Sequence, residues 1–286
     1  MTTTSPNHRS KPHLKAMAKG ALKTFLTALG LPASGFLPNW QRMQLAKRHL
    51  KGVGLEIGAM HNPLRVPKSA RVEYLDVTPR EENIRKFPEL NPNDLVQVDH
   101  LANGFLMNGI ASSSFDFVIA NHVLEHASNP VGALVQWFRV LKPGGILYCA
   151  LPRIDITFDK DRKLTRPQHM LEDYFLCAQQ KTVEMRARNL DHYQEWLTIA
   201  IPTHTGLPPP PPEQLERQIR DYSAREEEIH FHTFTMETAL DFLHLVAKEV
   251  IPDMHVVEAI NARAEILLIL QKRCASTPPA THSPTP

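Results

Sequence analysis

Three carboxylates stand where short apolar runs give way to polar turns: Glu56, two residues before Gly58; Asp76, 18 residues beyond that glycine; and Asp99, followed by His100 and Leu101. A glycine at such a turn permits a sharp bend and lets a ligand approach the main chain closely. A carboxylate closing the second run can accept two hydrogen bonds from ribose hydroxyls. A third, beside the apolar Leu101, suits an adenine amino group. Three acids at three consecutive run ends fit a nucleoside without phosphate, because a pyrophosphate would be repelled there. Glu56 lies inside the apolar stretch Val53–Ile57, where an unpaired charge is costly, so it is expected to be engaged.

A second group follows the fourth run. His122, Glu125 and His126 occupy positions i, i+3 and i+4 of one helical turn, so His122 and His126 can share a face. Either imidazole could take a proton from an attacking hydroxyl, since its ordinary pKa is near about 6.5. The trio could instead bind a divalent metal, or His126 and Glu125 could simply shape the turn. The base reading is taken, with His126 ahead of His122 and no metal assigned. His230 and His232 alternate in an extended segment and point to the same side, ahead of a helix that Thr233 or Thr235 could cap. Between them and the fifth run lies a stretch mixing Arg153, Asp155, Asp159, Arg162 and His169 with Tyr193 and Trp196. Carboxylates and ring faces in that mixture suit a polar, ring-bearing acceptor such as a saccharide.

These residues need elements to hold them. Strands are expected at Val53–Ile57, Val72–Val77, Leu95–Val98, Phe115–Ala120, Ile146–Leu151, Met254–Ile260 and Glu265–Leu270, with helices at Val131–Leu141 and Met236–Val250. Alternation of strand and helix implies a mostly parallel sheet covered on both faces, with ligands outside its carboxyl edge. The last two strands are joined by only Asn261–Ala264, a hairpin, so one of them runs antiparallel to its neighbour. Residues 153–228, with five prolines at Pro208–Pro212, form an insertion read as a substrate cap over that edge.

The chain of 286 residues is 42% hydrophobic and 22% charged, enough for a substantial core. Its three cysteines are far apart, which excludes a disulfide framework and a cysteine-built zinc site and fits a cytoplasmic location. Nine of the 32 basic residues precede Glu56, the first acidic residue, leaving 23 basic against 30 acidic beyond it. A net acidic main portion makes nucleic acid an unlikely partner. Residues 1–50 read as a basic tail with an amphipathic helix over Leu14–Leu29, which packs on its own domain or a partner, or lies on an anionic membrane surface. Residues 51–274 form the main domain, and the proline-rich 275–286 a disordered tail.

Together, Glu56-x-Gly58, Asp76, Asp99, the run Ser114-Phe115-Asp116-Phe117-Val118-Ile119-Ala120-Asn121-His122-Val123-Leu124-Glu125-His126 and the run Arg139-Val140-Leu141-Lys142-Pro143-Gly144-Gly145 resemble class I S-adenosylmethionine-dependent methyltransferases of the small-molecule or glycan type. The resemblance spans roughly residues 52–152 and resumes over 232–272. It implies a Rossmann-like sheet of order 3-2-1-4-5-7-6 whose seventh strand is antiparallel, in agreement with the hairpin. It also implies S-adenosylmethionine as cofactor: Glu56, Gly58 and Ala59 at the methionine portion, Asp76 at the ribose, Asp99 and Leu101 at the adenine, and Asn121 facing the amino acid or sulfonium. The glycine-rich loop departs from the family's pattern, with Met60 and Asn62 where further glycines are usual and Pro63 and Pro67 disfavouring a full first helix. Within this family some quinone-type O-methyltransferases bind metal at a related acidic and histidine turn.

The expected activity is therefore methyl transfer to a small-molecule or saccharide acceptor, most simply to oxygen. A non-catalytic cofactor-binding scaffold on the same fold is the alternative. A nicotinamide-dependent oxidoreductase would need the three-glycine pyrophosphate turn, which is missing. An Asn/Asp-Pro-Pro-Tyr tetrad of amine methylation is also missing after the fourth run.

Overall fold

The computed structural model describes residues 38–274. The expected basic helix over Leu14–Leu29 and the proline-rich tail lie outside the described residues. In chain order the elements are helix α1 (Pro38–His49), strands β1 (Gly52–Ile57) and β2 (Ala70–Asp76), α2 (Arg80–Lys86), β3 (His100–Leu101), β4 (Phe115–Asn121), α3 (Pro130–Val140) and β5 (Leu141–Pro152). The insertion contributes α4 (Pro167–Ala178), α5 (Thr182–Glu195), α6 (Ile201–Thr205) and α7 (Pro212–Arg225). The chain closes with α8 (Met236–Glu249), β6 (Met254–Ala262) and β7 (Glu265–Lys272).

The seven strands form one sheet of order β3-β2-β1-β4-β5-β7-β6. Only β7 runs against its neighbours, pairing antiparallel with both β5 and β6. Successive side chains of a strand point to opposite faces, and both faces here are covered. Phe117, Ile119, Tyr148, Leu267 and Ile269 face one layer with Leu45, Ala46 and Leu50, the last three from α1 and the turn after it. Val118, Ala120, Leu147, Cys149, Leu268 and Leu270 face the other, with residues of α3 and α8. Residues 45–50 thus pack against the sheet. An ion pair between Arg42 and Glu265 ties α1 to the start of β7.

Local chemistry explains the helix positions. Asn129 caps α3 by accepting from the Gly132 N–H at 2.9 Å, and Pro130 at the first position needs no donor there. Thr235 caps α8 in a reciprocal capping box with Thr238, which selects between the two threonines considered. Gly54 is required because a Cβ there would come within 2.0 Å of the Phe117 ring.

The third strand differs from expectation. Residues 95–98 form no strand, and β3 is the two-residue His100–Leu101, paired with Leu75 and Asp76. Pro92 and the 3-10 turn Pro92–Asp94, capped by Asn91, keep the chain turning until it reaches the sheet edge.

Candidate active site

The carboxyl ends of β1, β2, β3 and β4 converge on one edge, as parallel strand pairing dictates. Glu56, 1% exposed, accepts from the Leu64 N–H with both carboxylate oxygens, at 2.9 and 3.1 Å. It thus organises the loop that follows β1. Burial raises its pKa to about 7 against the opposing pull of Leu64, Arg42 and Asn121. Gly58 has φ +63°, and a Cβ added there would meet nothing within 4 Å, so the main chain borders open space. Met60 also takes a positive φ, 47°, which is how the loop turns with fewer glycines. A cavity of about 270 Å³ lies against this loop, lined by Arg42, His61, Arg65 and Asp94 but by neither Gly58 nor Asp76.

At the end of β2, Asp76 accepts from the Thr78 N–H at 2.9 Å, and burial raises its pKa. Leu101 pairs with Asp76 and is 63% exposed, an apolar side chain beside that carboxylate. Asp99 is placed differently from the sequence expectation. It precedes β3 rather than closing it, and its carboxylate accepts the Tyr74 N–H at 2.9 Å. This contact ties one Asp99 oxygen to β2 at Tyr74, two residues short of Asp76. Glu228, at the end of the cap, is close enough to Asp76 for its pKa to be raised first by burial and then by that carboxylate.

Asn121 ends β4. Its buried amide stands beside Glu56 without a hydrogen bond of ordinary geometry, leaving polar capacity unused at the edge. The open space at Gly58, the strand-end carboxylate of Asp76, the apolar Leu101 and this amide together fit an adenosine joined to a methionine chain.

His122 is corrected as a base candidate. It sits at φ +55°, and its N–H donates to the Ala150 carbonyl at 2.9 Å. Its Nε2 lies 2.9 Å from Glu265 Oε1 and its Nδ1 3.4 Å from Glu125 Oε1. Burial pulls its pKa down, but the two carboxylates outweigh that and raise it to about 9. At neutral pH it is a cation with no lone pair for a proton. His126 is the opposite case: burial, then the neighbouring His230, lower its pKa to about 4, so it stays neutral.

The sequence reading left out a further partner. His230 Nδ1 is 2.7 Å from Asp159 Oδ2, and Asp159 in turn is 2.8 Å from Arg162 Nη1. The His126 and His230 ring centroids are 4.7 Å apart, and Phe158 and Trp196 surround His230 at 4.9 and 5.6 Å. Trp196 opens a π-turn, Trp196–Ala200, in which the Ile201 N–H reaches back five residues to Trp196; Pro202, lacking an N–H, follows it. His230 and His232 do not serve one site, because His232 packs instead against His169 and His192. Tyr193 is also corrected: 2% exposed, it forms the cap's own core with Ile229 and Phe231 and offers no ring face to an acceptor. The cluster had a faint sequence signal in the alternating histidines, but nothing marked Asp159 as their partner.

Residues 52–149 match the family model of the methyltransferase domain. No curated protein matches the chain. Among solved structures the chain is similar to a SAM-dependent methyltransferase from Aquifex aeolicus, at 14% identity over 88% of this chain and 98% of that one, with a TM-score of 0.46. It is also similar to the 1,6-didemethyltoxoflavin-N1-methyltransferase of Burkholderia thailandensis, crystallised with 1,6-didemethyltoxoflavin and S-adenosylhomocysteine, at 12% identity over 95% and 93% of the two chains and a TM-score of 0.44. Likenesses this distant assign no residue role and no acceptor.

The sheet order and the matched segment define a class I methyltransferase domain, Rossmann-like and with β7 antiparallel. Residues 52–149 are a methyltransferase domain, the kind that takes its methyl group from S-adenosylmethionine. Among the described residues no helix is long and apolar enough to cross a membrane.

Proposed function

We propose that this methyltransferase modifies a hydroxyl of a small, ring-bearing acceptor, of which a saccharide is the leading class, held beneath the cap of residues 153–228. The observation that carries this reading is the neutral His126 packed against His230, which is itself flanked by the rings of Phe158 and Trp196 from the cap. S-adenosylmethionine supplies an already activated methyl group. The chain's own task is alignment, exclusion of water and removal of the hydroxyl proton.

Each residue has a share in that task. Asp76 and Leu101 hold the ribose and adenine, Gly58 and Ala59 let the methionine portion lie against the loop, and Glu56 fixes that loop through Leu64. His126 takes the hydroxyl proton, and Trp196 provides a ring face for the acceptor. The test is release of S-adenosylhomocysteine with a panel of sugars, nucleotide sugars, phenols and small acids. Turnover with a hydroxylated ring and loss of ~10²–10⁴-fold in His126→Ala support the reading. Turnover confined to amines or carboxylic acids would refute it.

A further inference from the structure

Helix α1 gives one stripe to the sheet and the other to solvent. Arg42, Leu45, Ala46 and His49 form the inward stripe: Leu45 and Ala46 pack in the sheet's core, Arg42 pairs with Glu265, and His49 Nε2 lies 2.9 Å from Glu258. Trp40, Met43, Gln44 and Lys47, at positions i, i+3, i+4 and i+7, form the opposite stripe. All four are exposed, Trp40 at 59% and Met43 at 40%. A tryptophan and a thioether held outward on a stripe that ends in lysine match a helix at a lipid headgroup boundary, where the ring lies among the headgroups and the ammonium stays in water.

Charge points the same way. Before Glu56 the chain has nine basic residues and no acid. Arg42 and Arg48 are taken up by Glu265 and Glu258 within the fold, which leaves seven, five of them in residues 1–37 ahead of α1. Leu14, Leu22, Phe25 and Leu29 recur at helical spacing among those five, in the stretch outside the described residues. Beyond the leader the chain carries 23 basic against 30 acidic residues. An anionic surface attracts the first part and repels the second, so it turns the molecule with α1 toward itself. A nucleic acid would also attract the lysines, but it has no use for Trp40, Met43 and the leucines, whereas a headgroup layer accepts both. No helix among the described residues can cross a membrane, so the contact is peripheral.

The exposed stripe borders the site. Met43 lines the cavity of about 270 Å³ against the loop after β1, and Arg42 beside it holds Glu265, which pairs with Pro152 at the carboxyl end of β5. We propose that the outer face of α1 and the basic chain ahead of it dock the protein on an anionic phospholipid surface, with Trp40 and Met43 at headgroup level and the carboxyl edge of the sheet held beside the bilayer.

The test is flotation of untagged full-length protein with vesicles of phosphatidylcholine alone or with about 30% phosphatidylserine, at about 0.05 and 0.5 M NaCl. Binding should require phosphatidylserine and fall about tenfold or more at the higher salt. Tryptophan fluorescence should shift to the blue on the anionic vesicles, and the shift should vanish in Trp40→Phe, which keeps Trp137 and Trp196. A triple variant, Trp40→Ser with Met43→Ser and Lys47→Glu, should bind about tenfold less or weaker still; all three side chains are exposed, so its Tm should stay near that of wild type. Wild-type protein that does not float with the anionic vesicles at low salt, or floats equally with neutral ones, would overturn the proposal whatever the variants do. Capture by an RNA duplex, or self-association in sedimentation, without vesicle binding would assign the face to nucleic acid or to a second copy instead. Unchanged flotation of the triple variant would remove α1 from the contact. The assay needs neither cofactor nor acceptor, so failure here leaves the methyl-transfer reading intact.

Discussion

Replacing His122 by Gln tests whether this histidine is a buried cation or a base. In the folded chain its pKa is about 9, against 6.5 for an unperturbed histidine, because Glu265 at 2.9 Å and Glu125 at 3.4 Å outweigh burial. That difference corresponds to roughly 3 kcal/mol of stability. The folded value lies above the unfolded one, so the contribution is complete below about pH 6.5 and is lost as pH rises through about 9. Its partner Glu265, lowered to about 2, contributes above about pH 4.5 and loses that contribution as pH falls through about 2. Both describe the same pair, so they are not added, and the pair is strongest between about pH 4.5 and 6.5. Urea unfolding of wild type and His122→Gln at pH 6.5 and 9.5 isolates the effect, since other titrating groups cancel in the difference. The stability gap between the two proteins should shrink by roughly 3 kcal/mol at the higher pH. A gap that does not change with pH would refute the assignment and restore His122 as a neutral group.

The other predictions concern single contacts. Asp76→Ala removes two hydrogen bonds to a carboxylate, each about 1.5–3 kcal/mol, so calorimetry should show S-adenosylmethionine binding at least tenfold weaker; unchanged affinity in a folded variant would remove Asp76 from the ribose site. Trp196→Ala should lower turnover of the acceptor while cofactor affinity stays within a factor of two or so; equal loss of both would show that this ring serves the cofactor. Thr235→Ala removes the side-chain cap of α8 and should cost about 1 kcal/mol, read as a lower Tm.

The apolar runs, the glycine after Glu56 and the terminal hairpin were sufficient to derive a doubly covered, mostly parallel sheet, because burial on both faces demands continuous apolar strands and a short connection demands antiparallel ones. Several motif residues that carry the family resemblance turn out to be structural. Asp116 accepts from the Val53 N–H at 2.8 Å and pairs with Lys142, and Arg139 donates to the carbonyls of Met107 and Ile110. Sequence spacing cannot separate such staples from ligand contacts, since both need a polar group at a strand or helix end. Asp99 shows the same limit: one hydrogen bond to Tyr74 turns a strand-end carboxylate into part of the sheet.

What the sequence determined by itself was the type of each residue and its place along a strand or turn, and hence the fold and the carboxyl edge of its sheet. Tertiary structure alone decided which of the histidines are charged. His122 and His126 are four residues apart in one turn, yet Glu265, 143 residues away, makes the first a cation, while burial beside His230 keeps the second neutral. Asp159 meets His230 across 71 residues. Electrostatic energies in a buried site depend on distances of a few ångströms between groups remote in the chain, and those distances exist only once the sheet and cap have closed around them.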